Sequence, residues 1–174
     1  GKYTVNNEIY EAYPNRDSTP YISEYKFDSK WRTKEFVRGT LRLNGWKNAW
    51  SDIFKMLDNK STELNKQIDI LGEELWKKHP YLQDEQDRVV LFVKLLARKD
   101  NKEVFNSFYA LDEKGSGENT AMGKLVSITL SCAIDLIAEN KMLSGVQAAP
   151  HDENLINYFF KIFEDYKIFI KNNL

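Results

Sequence analysis

The sequence predicts an α+β fold in which a mixed or antiparallel sheet packs against helices. The predicted elements run in the order strand, loop, strand, two helices, two strands, helix, short strand and helix, which differs from the strand–helix alternation of a parallel sheet. The chain has 174 residues, of which 42% are hydrophobic, enough to bury a core. We therefore expect residues 1–174 to form a single domain.

Composition argues against several classes of protein. Lys and Arg total 25 and Asp and Glu total 26, so the formal net charge of −1 lacks the basic excess of nucleic-acid-binding proteins. The apolar run at 89–93 is far shorter than a membrane-spanning segment. The single cysteine, Cys132, excludes an internal disulfide and fits a reducing compartment. We expect a cytoplasmic protein that binds neither nucleic acid nor membrane.

The first part of the chain predicts two extended segments joined by a loop. Residues 3–12 read as extended, with Asn6-Asn7 as a point where the segment could break. The loop covers residues 13–20, where two prolines bracket Asn, Asp and Ser. Residues 34–43 then predict a strand. A helix follows at 46–57, with tryptophans at helical spacing. A second helix is predicted after it, with Ser61 or Thr62 as the cap and Pro80 as the stop.

The second part predicts a hairpin followed by two helices. Residues 88–97 are almost continuously apolar, which favours a strand buried on both faces, and the alternating residues 103–111 would pair with it. Residues 120–140 predict the longest and most central helix. A short strand is predicted at 144–150 and an aromatic-rich last helix at 152–171.

Arginines form the candidate site. Arg16 lies in the proline-bracketed loop, and a guanidinium held in this way suits fork-like recognition of a carboxylate. Arg38, Thr40 and Arg42 would share one face of a strand, because side chains alternate with a period of two. Together they could bind a substrate with several carboxylates. Ordinary surface ion pairing is the alternative interpretation.

The sequence contains no glycine-rich fingerprint for a dinucleotide or nucleotide phosphate. The nearest segment, residues 115–120, precedes a helix but lacks the last glycine and places Glu118 where a phosphate would sit. His79 and His151 lack the spacing of metal ligands. We therefore expect neither a cofactor site nor a metal site on this chain.

Two motifs resemble the saccharopine dehydrogenase (saccharopine reductase) family. They are Tyr-Pro-Asn-Arg-Asp-Ser at 13–18 and Val-Arg-Gly-Thr-Leu-Arg at 37–42. Weaker matches follow in the same order, at Asp87 to Val90, Thr120 to Met122, and Gly145 to Pro150. The resemblance covers nearly the whole chain.

The resemblance implies a C-terminal domain similar to that of glyceraldehyde-3-phosphate dehydrogenase, which supplies the substrate side and the contacts of a homodimer. A Rossmann domain of the same protein, which would hold NAD or NADP, is not part of this chain. The helical insertion of the family would be reduced here to residues 46–87. By resemblance, the saccharopine site is lined by eight residues: Asn15, Arg16, Asp17, Ser18, Arg38, Thr40, Leu41 and Arg42.

In that interpretation Arg16 and Arg42 hold carboxylates of saccharopine, while Thr40 and backbone groups position them. The isolated chain would not catalyse the reaction, because its sequence shows no dinucleotide-binding motif. Two alternatives stay open. One is a non-catalytic relative that kept the fold for dimerisation or amino-acid binding. The other is an enzyme acting on a different imine-type substrate, such as a polyamine precursor.

Overall fold

The computed structural model describes residues 1–59, 61–146 and 149–173. These residues form six helices and six strands, and the strands make two antiparallel three-stranded sheets. The predicted α+β class is therefore confirmed. The chain divides into two compact units, Gly1–Thr19 with Arg32–Glu85, and Pro20–Trp31 with Gln86–Leu174. The single domain, the insertion at 46–87 and the similarity to glyceraldehyde-3-phosphate dehydrogenase stay predictions.

The sheet of the first unit contains strands β1 (Lys2–Val5), β2 (Glu8–Pro14) and β3 (Gly39–Leu43), in that order. The extended segment predicted at 3–12 breaks at the point that the sequence indicated, because Asn6 and Asn7, with φ of 49° and 67°, turn the chain back on itself. Asparagine tolerates this left-handed conformation better than most residues. The strand predicted at 34–43 is shorter, because β2 ends at Pro14 opposite Gly39.

Three helices follow this sheet in the first unit. The helix predicted at 46–57 is divided at Trp50 into α2 (Trp46–Ala49) and α3 (Ser51–Asp58). The predicted second helix is confirmed as α4 (Leu64–Lys78). Val5 and Tyr10 are the buried apolar residues of the sheet, 2% and 4% exposed.

The second unit begins with the short helix α1 (Tyr21–Glu24) and contains strands β4 (Arg88–Lys99), β5 (Lys102–Lys114) and β6 (Ile170–Asn172). The predicted hairpin is confirmed as β4 and β5, which pair antiparallel. The prediction that the first hairpin strand is buried on both faces is wrong. Strand β4 lies at the edge of the β4-β5-β6 sheet, and Leu91 and Val93 stay 55% and 64% exposed.

Helices α5 (Ala121–Ala138) and α6 (Glu153–Asp165) pack on this sheet. The core consists of Leu111, Ile128, Cys132 and Ile168. Helix α5 buries only one side, so the prediction of a central helix is wrong. Its other side is an apolar stripe with five side chains that are each 55% to 61% exposed: Met122, Val126, Leu130, Ile134 and Ile137.

The end of the chain differs from the predicted helix at 152–171. Helix α6 ends at Asp165, and Lys167 takes a left-handed φ of 57° that reverses the chain. Ile168 then enters the core and Ile170–Asn172 pairs with β5. The strand predicted at 144–150 is not found in the described residues of that range, and residues 147 and 148 lie outside them.

Within the described parts of the chain, one helix, α5, is long and apolar enough to cross a membrane by length and composition alone. The core helix of a soluble protein meets the same criterion. Helix α5 packs Leu125, Ile128 and Cys132 against sheet and helix neighbours, and 17% of its apolar window is buried.

Candidate functional site

Ser18 connects the loop after β2 to the start of β3. Its hydroxyl accepts a hydrogen bond from the Arg38 backbone N–H at 3.0 Å and donates one to the Arg16 carbonyl at 3.2 Å. The backbone N–H of Asn15 donates to the Arg38 carbonyl at 3.1 Å. Ser18 itself is buried, with 7% of its surface exposed. The Ser18 hydroxyl thus joins the main chains of Arg16 and Arg38, and a backbone bond joins Arg38 to Asn15.

Asp17 shapes the same loop. Its Oδ1 accepts hydrogen bonds from the backbone N–H of Thr19 at 3.0 Å and from the Thr19 hydroxyl at 2.7 Å. These bonds, the backbone one foremost, lower the pKa of Asp17. An aspartate that caps its own turn in this way restricts the loop conformation. The structure therefore gives Asp17 a role in the geometry of the loop that carries Arg16.

Strand β3 presents Thr40 and Arg42 on one face of the sheet. Thr40 lies opposite Tyr13 and Arg42 lies opposite Glu11 in the antiparallel ladder. Residues that are directly opposite share a face, so these four side chains form one surface. Leu41 alternates to the other face. Arg38 immediately precedes the strand.

Gly39 lets the two strands approach each other at this point. A Cβ at position 39 would lie 2.8 Å from the Tyr13 carbonyl oxygen. That separation is well below van der Waals contact, and the obstructing atom belongs to the backbone. Glycine at this position of the Arg-Gly-Thr-Leu-Arg segment thus has a steric reason within the site.

An aromatic cluster lies beside Arg42. Trp46 lies at its centre, and the ring centroids of Tyr13, Trp50 and Phe54 stand 5.2 Å to 5.4 Å from the Trp46 centroid. The Arg42 guanidinium carbon lies 5.5 Å from the centre of the Trp46 ring, within the range of a cation–π contact. An open depression of about 540 Å³ is lined by Leu41, Arg42, Leu43, Trp46 and Trp50.

Glu11 is a buried carboxylate under this surface, with 8% of its area exposed. It accepts hydrogen bonds from the Tyr13 hydroxyl at 2.7 Å and from the backbone N–H groups of Gly45 at 2.9 Å and Lys47 at 3.1 Å. The Tyr13 bond foremost, then the two backbone bonds, lower the pKa of Glu11. The same carboxylate raises the pKa of Tyr13. Glu11 is thus favoured as an anion, and both of its oxygens accept hydrogen bonds.

Sequence reasoning missed Glu11, Tyr13 as its partner, and Trp46 beneath Arg42. A signal existed in the alternation of Glu11 and Tyr13 along one strand. It could not show that α2 begins directly against Glu11, because that depends on how β2 and β3 pair.

Arg16 and Arg42 are both exposed. In the part of the chain that the structure describes, the Arg16 guanidinium has no hydrogen bond or ion pair, and Arg42 has the ring contact alone. The two cations are therefore not neutralised by described neighbours. Such guanidiniums can offer paired N–H donors to a planar anion.

The family model described as the saccharopine dehydrogenase C-terminal domain matches residues 2–168. The chain belongs to this family. The resemblance seen in the sequence is thereby confirmed, and this saccharopine dehydrogenase C-terminal domain is associated with an oxidoreductase. Comparison with curated proteins and with solved structures gave no match.

The N-terminus of helix α5 does not fit a cofactor phosphate. Asp87 Oδ1 accepts from the Ala121 N–H at 2.6 Å, and its Oδ2 accepts from the Met122 N–H at 2.9 Å. A carboxylate therefore occupies the position where a helix N-terminus would bind an anion. Among the described residues, no group of three or more His, Cys, Asp or Glu side chains could hold a metal ion.

Proposed function

We propose that this saccharopine dehydrogenase C-terminal domain binds saccharopine within an NAD(P)-dependent oxidoreductase that acts on its CH–NH bond. The carrying observation is that Arg16 and Arg42 are exposed guanidiniums without a carboxylate partner among the described residues. Saccharopine carries three carboxylates, and arginine recognises carboxylates with two parallel hydrogen bonds. Membership of the family supports this substrate class.

Each site residue has a proposed role in holding the substrate. Arg16 and Arg42 hold carboxylates, while Arg38 adds positive charge near the loop. Thr40, the Leu41 main chain and Asn15 supply polar groups that orient the ligand. Ser18 and Asp17 hold the loop in shape through the hydrogen bonds of their side chains. The domain would contribute orientation of the substrate rather than proton chemistry.

The cofactor is proposed to bind elsewhere in the complete enzyme. NAD or NADP on a Rossmann domain of the same protein would supply the hydride acceptor or donor. Asp87 at the α5 N-terminus disfavours phosphate there. We propose that the isolated chain binds substrate without turnover.

We further propose a homodimer that uses the apolar stripe of α5. Its five side chains are more than half exposed and none carries a charge. Apolar patches of this kind on soluble proteins mark contacts with other proteins. Because α5 already buries its opposite side in the core, a second copy is a better partner than a lipid bilayer. The free, buried Cys132 fits the proposed cytoplasmic location.

Calorimetric titration with saccharopine tests the substrate proposal. We expect binding to the wild type, loss of binding in Arg16→Ala and Arg42→Ala, and partial binding in Arg16→Lys, which keeps the charge and loses the fork. Arg98→Ala is the matched control, since Arg98 is an exposed arginine of the β4–β5 hairpin. Absence of saccharopine binding to the wild type would contradict the proposal.

The second candidate is a non-catalytic dimerisation or amino-acid-binding module, and the exposed stripe of α5 is the observation that favours it. A dimer that binds no saccharopine would support this candidate. Binding of a polyamine-type amine in place of saccharopine would instead support the different imine substrate.

A further inference from the structure

We infer that Glu11 is a positioning residue for Arg42, because its carboxylate fixes the turn that holds the Trp46 indole against the guanidinium. The inference deepens the proposed function and rests on it, since it assumes that Arg42 receives a substrate carboxylate. It adds two residues, Glu11 and Trp46, to the recognition of that carboxylate.

Arg42 does not pair with the carboxylate that lies opposite it. Glu11 and Arg42 are directly opposite in the ladder, where opposite charges commonly pair. Here the Glu11 carboxylate accepts three other hydrogen bonds, from Tyr13, Gly45 and Lys47. Among the described residues, Glu11 and Arg42 form no ion pair with each other. The guanidinium therefore keeps its charge and donors for an external anion.

Trp46 is the first residue of α2, a turn that Glu11 binds. The two backbone N–H groups bound by Glu11 belong to Gly45 and Lys47, on either side of Trp46. Helix α2 has four residues, and Gly45 before it has a φ of 92°. So short a helix cannot hold its own conformation without tertiary contacts. The direction of the Trp46 side chain thus depends on the Glu11 carboxylate.

Aromatic contacts restrict the guanidinium of Arg42 before a ligand binds. Trp46 offers its ring to Arg42 at 5.5 Å while Tyr13 packs on it at 5.2 Å. A cation–π contact attracts the guanidinium to the ring without using an oxygen or nitrogen acceptor, so N–H donors remain for a ligand. Restricting the side chain beforehand reduces the entropy lost when a carboxylate binds. The contact with Trp46 consequently favours binding of a planar anion that takes two N–H donors at once.

The test combines two measurements on the whole 174-residue chain. Proton NMR of the ligand-free chain reports the ring-current shift of the Arg42 δ protons, and calorimetry reports saccharopine affinity. The variants are Glu11→Gln and Trp46→Leu. The matched control is Glu8→Gln. Glu8 lies on the same strand and accepts a hydrogen bond from the Tyr10 hydroxyl at 2.7 Å, but its side chain is on the face of the sheet opposite to Glu11.

We expect Trp46→Leu and Glu11→Gln to move the Arg42 resonances toward unstacked values and to weaken saccharopine binding about tenfold. Glu8→Gln should leave both unchanged. Unchanged Arg42 resonances in Glu11→Gln overturn the inference, and so do moved resonances with unchanged affinity. If the wild type does not bind saccharopine, the proposed function fails, while the resonances still decide the positioning role.

Circular dichroism checks that each variant is folded. If Glu11→Gln unfolds, Tyr13→Phe takes its place, since it removes one of the three hydrogen bonds and keeps an aromatic ring. A smaller shift of the Arg42 resonances in the same direction supports the inference, and no shift overturns it.

Discussion

The carboxylate of Asp87 accepts a hydrogen bond from the backbone N–H of Ala121 at 2.6 Å, although the residues are 34 positions apart. Its second oxygen accepts from Met122 at 2.9 Å, and the Thr120 hydroxyl accepts from Gly123 at 3.0 Å. Three of the N–H groups that lack partners within the first turn of α5 are thus satisfied by side chains. Asp87, the residue before β4, thus caps the longest helix together with the N-cap residue Thr120.

The Asp87 cap makes stability depend on pH. The hydrogen bonds from Met122 and Ala121 lower the folded-state pKa of Asp87 below its ordinary value of 3.8. As the pH falls, Asp87 is therefore protonated in the unfolded chain at a higher pH than in the folded chain. The contribution is complete above about pH 3.8 and is lost as the pH falls through the lowered folded pKa.

We expect Asp87→Asn to lower the urea midpoint at pH 7, and the difference from the wild type to shrink below pH 3.8. Urea unfolding followed by circular dichroism at several pH values measures both. Asp69→Asn, at an exposed position of α4, is the control and should not alter the midpoint. A difference that stays constant down to the lowest pH would count against the cap.

Gly39→Ala should destabilise the first unit. The added methyl group would meet the Tyr13 carbonyl at 2.8 Å and push β3 away from β2. Overpacking of this kind costs roughly 1 to 3 kcal/mol of unfolding free energy. Gly72→Ala is the matched control, because nothing lies within 4 Å of its added Cβ in helix α4. It should raise stability by up to about 1 kcal/mol. Equal midpoints for the two variants would contradict the steric account.

The sequence indicates elements whose pattern is local. The hairpin of β4 and β5 and the helix at Leu64–Lys78 were predicted because alternation and helical spacing are visible within short windows. The strand at the end of the chain was not predicted, because Phe159 and Phe163 belong to a helical pattern that continues to Ile170. Ile170 belongs to a strand only because β5 offers it an open edge.

The residues of the candidate site also differ in whether a local pattern could identify them. Arg16 and Arg42 could be selected from residue type, from the prolines of the loop and from the resemblance. The role of Ser18 in joining Arg16 to Arg38 required the register of β2 and β3. The burial of Glu11 under Arg42 required, in addition, the position of α2. Contacts between residues far apart in sequence are not encoded in any short window.

Asn173→Ala should weaken the attachment of the last strand. The Asn173 side chain accepts from the Phe108 N–H at 2.7 Å and the Ser107 hydroxyl at 3.1 Å, and donates to the Asn106 carbonyl at 3.2 Å. Loss of these bonds should cost on the order of 1 kcal/mol in thermal or urea unfolding. Asn65→Ala, exposed on α4, should not lower stability. A result in which both variants match the wild type would show that β6 does not need this side chain.

The stripe of α5 should determine the oligomeric state. Ile134 is 55% exposed in the middle of the stripe, so Ile134→Glu would place a charge in the proposed dimer contact. We expect a dimer of the wild type in sedimentation equilibrium and a rise in its dissociation constant on the order of hundredfold in this variant.

Ile70→Glu provides the comparison, because Ile70 is 49% exposed on α4 and outside the stripe. This variant should dimerise like the wild type. A wild type that stays monomeric at every concentration, or an Ile134→Glu variant that dimerises as tightly as Ile70→Glu, would exclude the α5 stripe as the dimer contact. Because substitution of an exposed side chain leaves the core intact, the unfolding midpoint of the monomer should be nearly the same in both variants.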